Sequence, residues 1–219
     1  ERAFIQFAGF TIGRSDSMFG FYNGPAYNFV NFAMDGGAGP AGKNIFAYTW
    51  QFGNGLSASL SAEDAGAIAA IWNIVIRETT HTFTTTEKAA APVAAAIAAG
   101  TPYWVAGRGD EVLGFATYSQ FRGGNGYAHA MEHSVHLAPE AQGKGLGRAL
   151  MARLEDHAAR AGVHVMVAGV SGDNPGGIAF HAALGYVEVG RMPEVGRKWD
   201  RWLDLVLMQK ILLGTRDPS

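Results

Sequence analysis

The chain has 219 residues, which allows one or two domains, and its formal net charge is only −2. A nucleic-acid binder usually carries a basic face, so we expect no nucleic-acid partner. The chain has no cysteine, which excludes a disulfide framework, a thiolate nucleophile and a cysteine-based metal site. Its seven histidines are scattered without the spacing of metal ligands, so we expect no metal. No stretch reaches the roughly 18 apolar residues of a membrane helix. Residues 1–2 begin no signal peptide, so we expect a cytoplasmic protein.

The first sixty residues are rich in glycine, asparagine and aromatic residues and show no helical period. Residues 44–52 have the composition of a strand, Gly53-Asn54-Gly55 predicts a hairpin turn, and residues 56–61 alternate as a return strand. Residues 2–10 and 46–55 resemble pieces of an alphaproteobacterial outer-membrane porin. A fragment of this length supplies fewer than the roughly eight strands that a porin needs. We therefore interpret residues 1–55 as a porin-like appendage, partly hairpin and partly irregular over residues 13–43.

The rest of the chain alternates between helical and strand patterns. Acidic residues at 63 and 64 predict the start of a helix over 65–77. A polar loop over 79–86 then leads to an alanine-rich helix over 88–99. The remaining elements are predicted strands over 102–106, 112–118 and 127–137, a helix over 148–161, a strand over 163–170, a helix over 176–184 and a strand over 203–212. This order predicts a layered α/β fold.

A glycine-rich stretch, Gln142-Gly143-Lys144-Gly145-Leu146-Gly147, lies between a predicted strand and a predicted helix. Glycines allow the positive φ angles that bring backbone N–H groups together, and a helix N-terminus adds unpaired donors and partial positive charge. Such a turn suits a pyrophosphate, although a plain strand-to-helix turn uses similar residues. It is not a Walker loop, because glycine follows Lys144 where that loop needs serine or threonine. The glycine spacing also differs from a dinucleotide fingerprint.

Gln142, Gly145 and Gly147 match the pattern Q/R-x-x-G-x-G/A, and the stretch resembles the acetyl-CoA signature of the GNAT N-acetyltransferase superfamily. The resemblance covers residues 56–219 and implies the GNAT fold, with a mixed central sheet flanked by helices and residues 56–61 as its first strand. It implies acetyl-CoA as co-substrate and no metal. The residues that it assigns to acetyl-CoA are Val135, Leu137, Gln142, Gly143, Lys144, Gly145, Leu146, Gly147, Arg148 and Asn174. For Asn174, a helix cap is the alternative interpretation.

Glu132 is the candidate general base. It lies in Glu132-His133-Ser134-Val135-His136, a predicted strand otherwise directed into the core, where a carboxylate is either paired or functional. Burial would raise its pKa toward a useful range, whereas a glutamate on an exposed strand face is the simpler alternative. The Glu-His-Ser-Val pattern resembles the catalytic stretch of phosphinothricin and methionine-sulfoximine acetyltransferases, in which this glutamate is the proposed base. That family usually has tyrosine where this chain has His136.

The same resemblance implies the remaining site residues. His181 would protonate the leaving thiolate, since imidazole titrates near neutral pH, with a packing histidine as the alternative. Arg122 would bind a substrate carboxylate with two hydrogen bonds. The other residues assigned to the substrate pocket are Phe83, Tyr127 and Trp202, each of which could instead be structural.

The sequence therefore predicts an N-acetyltransferase acting on the α-amine of a small amino acid or analogue, of the phosphinothricin or methionine sulfone and sulfoximine type. Relatives of this kind are often dimers, so a homodimer stays open, and no membrane partner is expected for the GNAT part. Two alternatives remain. The chain could be a fragment of an outer-membrane porin, or it could bind acyl-CoA without catalysis.

Overall fold

The computed structural model describes residues 64–108 and 111–212 in full and, before residue 64, only the backbone of short strands. Five of these strands form a small separate sheet: β1 (Ala3–Phe7), β2 (Phe10–Ser15), β3 (Val30–Phe32), β4 (Lys43–Asn44) and β5 (Ala47–Tyr48). Strand β3 therefore lies within the stretch that the sequence predicted to be irregular. The side chains that carry the porin-like resemblance lie outside the described residues, and that resemblance stays a prediction.

The main sheet has the strand order β12-β13-β11-β10-β9-β8-β7-β6. Its strands are β6 (Trp50–Phe52), β7 (Leu56–Ala58), β8 (Tyr103–Arg108), β9 (Glu111–Gln120), β10 (Ala130–Leu137), β11 (Val165–Ser171), β12 (Val187–Lys198) and β13 (Arg201–Ile211). Neighbouring strands are antiparallel except β10 and β11, so the sheet is mixed, as predicted. Strand β7 pairs with β8 through Ser57 opposite Gly107, which confirms that this segment joins the sheet.

The described residues form the helices α1 (Ala65–Glu78), α2 (Ala90–Ala98), α3 (Leu146–Arg160) and α4 (Pro175–Ala183). Helices α1, α3 and α4 pack against the sheet, and α2 packs against α1. Helix α1 buries Ile68 and Ile71, which lie three residues apart on one face. Helix α3 buries Leu150 and Leu154 in the same way. Removing each such side chain from water stabilises the fold by about 1.5–3 kcal/mol. No helix within the described ranges is both long and apolar enough to cross a bilayer.

Several predicted boundaries differ from the structure by one to three residues, two of them next to the glycine stretch and β10, and one strand was not predicted. Strand β10 begins at Ala130 rather than at residue 127, because residues Asn125–Tyr127 form a 3₁₀ turn. Helix α3 begins at Leu146, two residues earlier than predicted, so the last two residues of the glycine stretch belong to its first turn. The whole of β12 was missed. Glycine and proline interrupt this edge strand, and most of its positions are exposed, so it lacks the apolar alternation of a half-buried strand.

Candidate active site

A wedge between β10 and β11 forms the centre of the site. The two strands pair over only three residues, and their last pair is Glu132 with Val167. Beyond it, β10 continues along β9 as far as Leu137, and β11 continues along β13 as far as Ser171. No backbone hydrogen bond joins residues 133–137 to residues 168–171. The wedge therefore presents unpaired backbone groups on both sides to any extended ligand with amide groups.

The glycine stretch lies at the open end of this wedge, beyond the end of β10. Gly143 and Gly145 have φ angles of 72° and 81°, a region that favours glycine. A Cβ at either position would meet nothing within 4 Å, so the space above the turn is open. No side chain caps the first turn of α3, which leaves its N–H groups available. These features fit a pyrophosphate bound by backbone donors.

The side chains of the glycine stretch divide between solvent and core. Gln142, Lys144 and Arg148 are exposed around the turn, where their polar groups can reach an anion. Leu146 is buried, so it contributes only its backbone N–H. Gly147 is also buried, and a Cβ there would lie 3.2 Å from the ring of Phe180 on α4. Glycine at this position thus allows α3 and α4 to approach closely.

Asn174 stands at the N-terminus of α4, just after β11 and near the open end of the wedge. Its Oδ1 accepts a hydrogen bond from the backbone N–H of Gly177 at 2.8 Å, so the residue caps the helix. The cap uses only the carbonyl of the side chain. The amide NH₂ has no hydrogen-bond partner within the described ranges, and it remains able to donate to a ligand in the wedge.

Glu132 lies at the closed end of the wedge. Its side chain is half-buried, and burial raises the pKa of its carboxyl group. Within residues 64–108 and 111–212, the carboxylate has no hydrogen bond or ion pair that would offset this effect. Gly169 on β11 leaves the room that the carboxylate occupies, since a Cβ there would lie 2.8 Å from Oε1. An unpaired carboxylate with a raised pKa is suited to accept a proton near neutral pH.

His133 and His181 form a buried pair on the opposite face of β10 from Glu132. Their Nε2 atoms lie 3.0 Å apart, and Nδ1 of His181 donates to the carbonyl oxygen of Gly177 at 2.7 Å. A carbonyl only accepts, so Nδ1 of His181 carries a proton, and in the neutral ring Nε2 accepts from His133. Burial lowers the pKa of both rings, to about 3 for His133. Both nitrogens of His181 are thus engaged.

A second group of polar side chains lies behind this histidine pair. The ring of Tyr186 contacts both histidines, with centroid distances of 5.5 Å to His133 and 5.4 Å to His181. Burial, with Glu155 adding to it, raises the pKa of Tyr186. Glu155 in turn accepts from Lys210 at 2.6 Å. The sequence analysis assigned no role to His133 or Glu155. A glutamate directly after Leu154, beside the apolar face of α3, is the one signal that could have indicated Glu155.

His136, which replaces the tyrosine of the similar family, lies on the same face of β10 as Glu132. Its ring packs between Trp72 and Phe115, with centroid distances of 5.7 and 5.5 Å. Burial lowers its pKa to about 4, and the nearby His81 contributes. The ring is therefore neutral at physiological pH and acts as an aromatic wall.

The predicted substrate residues fall into two places. Arg122 and Tyr127 lie together on the exposed loop before β10, with the guanidinium 5.7 Å from the tyrosine ring. Trp202 is exposed beside the turn between β12 and β13, where Arg197 stacks on it at 5.5 Å. Phe83 lies against β12, because its ring covers the position that a Cβ of Gly196 would take. Within the described residues, no group of three His, Asp or Glu side chains is placed to hold a metal ion.

Comparison with protein families matches residues 68–186 to the acetyltransferase (GNAT) family. The L-amino acid N-acyltransferase MnaT of Escherichia coli K12 is 44% identical over 121 residues, which cover 55% of this chain and 70% of that protein. An L-methionine sulfoximine/L-methionine sulfone acetyltransferase of Salmonella typhimurium is 46% identical over 50% of this chain and 64% of its own length. The chain thus spans about two thirds of the length of these relatives.

Solved structures give the same result for the fold. The structure of yncA from Salmonella typhimurium, determined with its cofactor acetyl-CoA, has a TM-score of 0.70 and 35% identity, and the match covers 76% of this chain and 99% of that one. A phosphinothricin acetyltransferase from Sinorhizobium meliloti in complex with acetyl-CoA has a TM-score of 0.66 and 32% identity over 77% of this chain and 88% of that one.

Proposed function

Because the chain belongs to the GNAT acetyltransferase family, we propose that it transfers an acetyl group from acetyl-CoA to the α-amine of a small amino acid or analogue. The observation that carries this proposal is the wedge, which has an open glycine turn at one end and an unpaired carboxylate at the other. The named activities of the relatives support an amino-acid acceptor of the methionine sulfoximine, methionine sulfone or phosphinothricin type.

The backbone of the wedge and of the glycine turn would hold acetyl-CoA. Residues 143–147 would bind its pyrophosphate through backbone N–H groups, with Lys144 and Arg148 adding positive charge. The pantetheine arm, which carries amide groups, would lie between Val135 and Leu137 on one side and Asn174 on the other. Acetyl-CoA supplies the activated acetyl group, and the thioester would then lie toward the closed end, near Glu132.

Glu132 is our proposed general base. Its carboxylate would take a proton from the ammonium group of the amino acid, which frees the amine to attack the acetyl carbon. Its raised pKa matches the base to this task more closely than an ordinary exposed glutamate would. This feature favours an enzyme over the alternative of a module that binds acyl-CoA without catalysis.

His181 is our proposed proton donor to the thiolate that leaves when the bond between acetyl carbon and sulfur breaks. This role sets a condition, because Nε2 of His181 is bonded to His133 and Nδ1 to Gly177. To act as the acid, the ring must release one of these partners and carry a second proton. Arg122 is our proposed partner for the carboxylate of the amino acid, since its guanidinium is exposed and unpaired with any acid among the described residues.

A free-thiol release assay tests the proposed function. Wild-type protein and the Glu132→Gln variant are incubated with acetyl-CoA and a panel containing methionine sulfoximine, methionine sulfone, phosphinothricin and the common amino acids. We expect acceptor-dependent thiol release by the wild type and strong loss in the variant. If no amino acid raises thiol release above the rate without acceptor, while acetyl-CoA still binds, the protein is a binding module rather than this enzyme.

We further propose that the catalytic unit comprises residues 56–219, with residues 1–55 as an appendage, and that the enzyme acts in the cytoplasm. The pairing of β7 with β8 supports the inclusion of residues 56–58 in the catalytic unit. Strand β6 of the proposed appendage meets this unit by pairing with β7. A homodimer, which the sequence left open, can be tested by light scattering of the purified chain.

A further inference from the structure

Lys198, the last residue of β12, carries a buried ammonium group. The residue is 1% exposed, and its Nζ donates to the carbonyl oxygens of Thr79 at 2.7 Å and of Thr82 at 2.9 Å. Within residues 64–108 and 111–212, Nζ forms no ion pair with a carboxylate. The ring of Trp199 is a third neighbour, with its centroid 5.0 Å from Nζ. A buried cation held by neutral carbonyls and one aromatic ring, with no carboxylate, is costly compared with an apolar side chain of similar length. Such a residue therefore needs a reason other than the stability of the core.

The two carbonyls belong to one turn of the loop between α1 and α2, residues 79–86. The carbonyl oxygen of Thr79 and that of Thr82, three residues later, both accept from the same ammonium group, so two N–H donors on one atom fix the shape of the turn. A second contact holds the same loop on the same strand, because the ring of Phe83 occupies the space that a Cβ of Gly196 would need. Strand β12 thus holds loop 79–86 by one polar and one apolar contact.

Loop 79–86 faces the side of β10 that carries the proposed base. His81 lies close enough to His136 to influence it, and His136 shares a strand face with Glu132. The loop also carries Phe83, which the sequence assigned to the substrate pocket. The loop and the strand cover the Lys198 side chain almost completely, so its effect on the reaction passes through the loop that it holds.

We infer that Lys198 is a positioning residue that fixes loop 79–86 in the conformation that receives the acceptor amino acid. This inference rests on the proposed function, because it assigns the loop to the acceptor. It assigns Lys198 to the acceptor side, because none of its hydrogen bonds or ring contacts among the described residues reaches the wedge or the glycine turn. The loop itself touches the cofactor side at one point, where Thr80 donates to Asp173 at 3.5 Å.

The test is Lys198→Met, which keeps an unbranched apolar stem and removes the three donors. With two carbonyls left unpaired, we expect the acceptor KM to rise roughly 10-fold or more. The KM for acetyl-CoA should stay unchanged, and kcat should change much less than the acceptor KM. Hydrogen–deuterium exchange of a peptide spanning 79–86 should increase. Lys198→Arg keeps a cationic donor and should restore part of the acceptor affinity.

Two further variants keep the result interpretable. Gly196→Ala alters no charge but forces the ring of Phe83 to move, and it should give the same kinetic signature as Lys198→Met. Arg160→Met removes an exposed cation on α3 and should change neither the kinetics nor the exchange of the loop.

The outcomes discriminate between the inference and the function on which it rests. An acceptor KM that stays normal in Lys198→Met while loop exchange increases would overturn the inference. Equal losses in kcat and in both KM values, together with a lower melting temperature, would also overturn it, since they indicate general destabilisation. If the wild type acetylates no amino acid, the proposed function is wrong, whatever Lys198 does. In that case hydrogen–deuterium exchange still tests the loop: unchanged exchange of residues 79–86 in Lys198→Met would show that Lys198 does not position it.

Discussion

Replacing Glu132 with glutamine removes the proposed base while it preserves the shape of the side chain. We expect kcat to fall by roughly 10²–10⁴-fold, the usual contribution of general base catalysis. The affinity for acetyl-CoA should stay unchanged, because the glycine turn and the backbone of the wedge are untouched. The carboxylate stands against Gly169, and the amide of glutamine has nearly the same size, so no new overlap arises.

The same substitution should stabilise the protein at neutral pH. Burial raises the pKa of Glu132, so the folded state binds the proton more tightly than the unfolded state does. The free energy of unfolding contributed by such a group is highest at low pH and is lost as pH rises through the folded pKa. As pH rises through that pKa, the wild type therefore incurs a penalty that approaches about 1.4 kcal/mol for each unit of pKa elevation. Glutamine carries none of it.

Thiol-release kinetics and thermal unfolding between about pH 4 and pH 8 measure both effects together. The melting temperature of Glu132→Gln should exceed that of the wild type at pH 7 and approach it toward pH 4. Glu140→Gln removes an exposed carboxylate just after β10 and should leave turnover and melting unchanged. Near-normal turnover of Glu132→Gln at every pH would reject the base assignment. A lower melting temperature at pH 7 would reject the argument from burial.

Three further predictions concern the cofactor, the acceptor and the appendage. Gly145→Glu should abolish acetyl-CoA binding in calorimetry, because a side chain at positive φ strains the turn and its charge repels the pyrophosphate; unchanged affinity would place the site elsewhere. Arg122→Met should raise the acceptor KM roughly 10-fold or more, as expected for a lost charge-assisted pair, with little change in kcat; an unaltered KM would exclude the contact. Removal of residues 1–54 deletes the edge strand β6 but keeps β7 over β8, so turnover and melting should stay nearly intact. Removal of residues 1–61 also deletes β7 and exposes the edge of β8, which should lower the melting temperature. Loss of turnover in the shorter truncation, with the fold intact, would mean that the appendage contributes to the site.

The features that the sequence predicted well are those set by neighbouring residues. The glycine turn and the helix after it depend on a few adjacent positions, including the positive φ angles of Gly143 and Gly145. The local sequence was therefore sufficient to predict both. Helix α1 was predicted within one residue at its end because its apolar residues follow a helical period. The strand order of the main sheet needed the resemblance to a known fold, because pairing across the chain is not encoded in any single window.

The features that the sequence did not predict are contacts between distant segments. His133 meets His181 across 48 positions, and Lys198 meets Thr79 across 119. Each of these residues, read alone, looks like an ordinary polar residue on a strand or helix. Only the packing of α4 on the sheet shows that His133 occupies Nε2 of the proposed acid. Only the position of β12 at the sheet edge shows that Lys198 fixes a loop.

The short pairing of β10 with β11 explains why the base lies where it does. Glu132 is the last residue of β10 that pairs with β11, so any ligand that replaces β11 in the wedge must end beside it. Strand β10 stays paired with β9 from Met131 to Leu137, which holds the base on a rigid element while the other edge is free to bind. Gly169, on the facing strand, leaves the space that the carboxylate needs. A side chain at position 169 would displace the carboxylate of Glu132 from the end of the wedge. Gly169→Ala should therefore lower kcat without weakening acetyl-CoA binding.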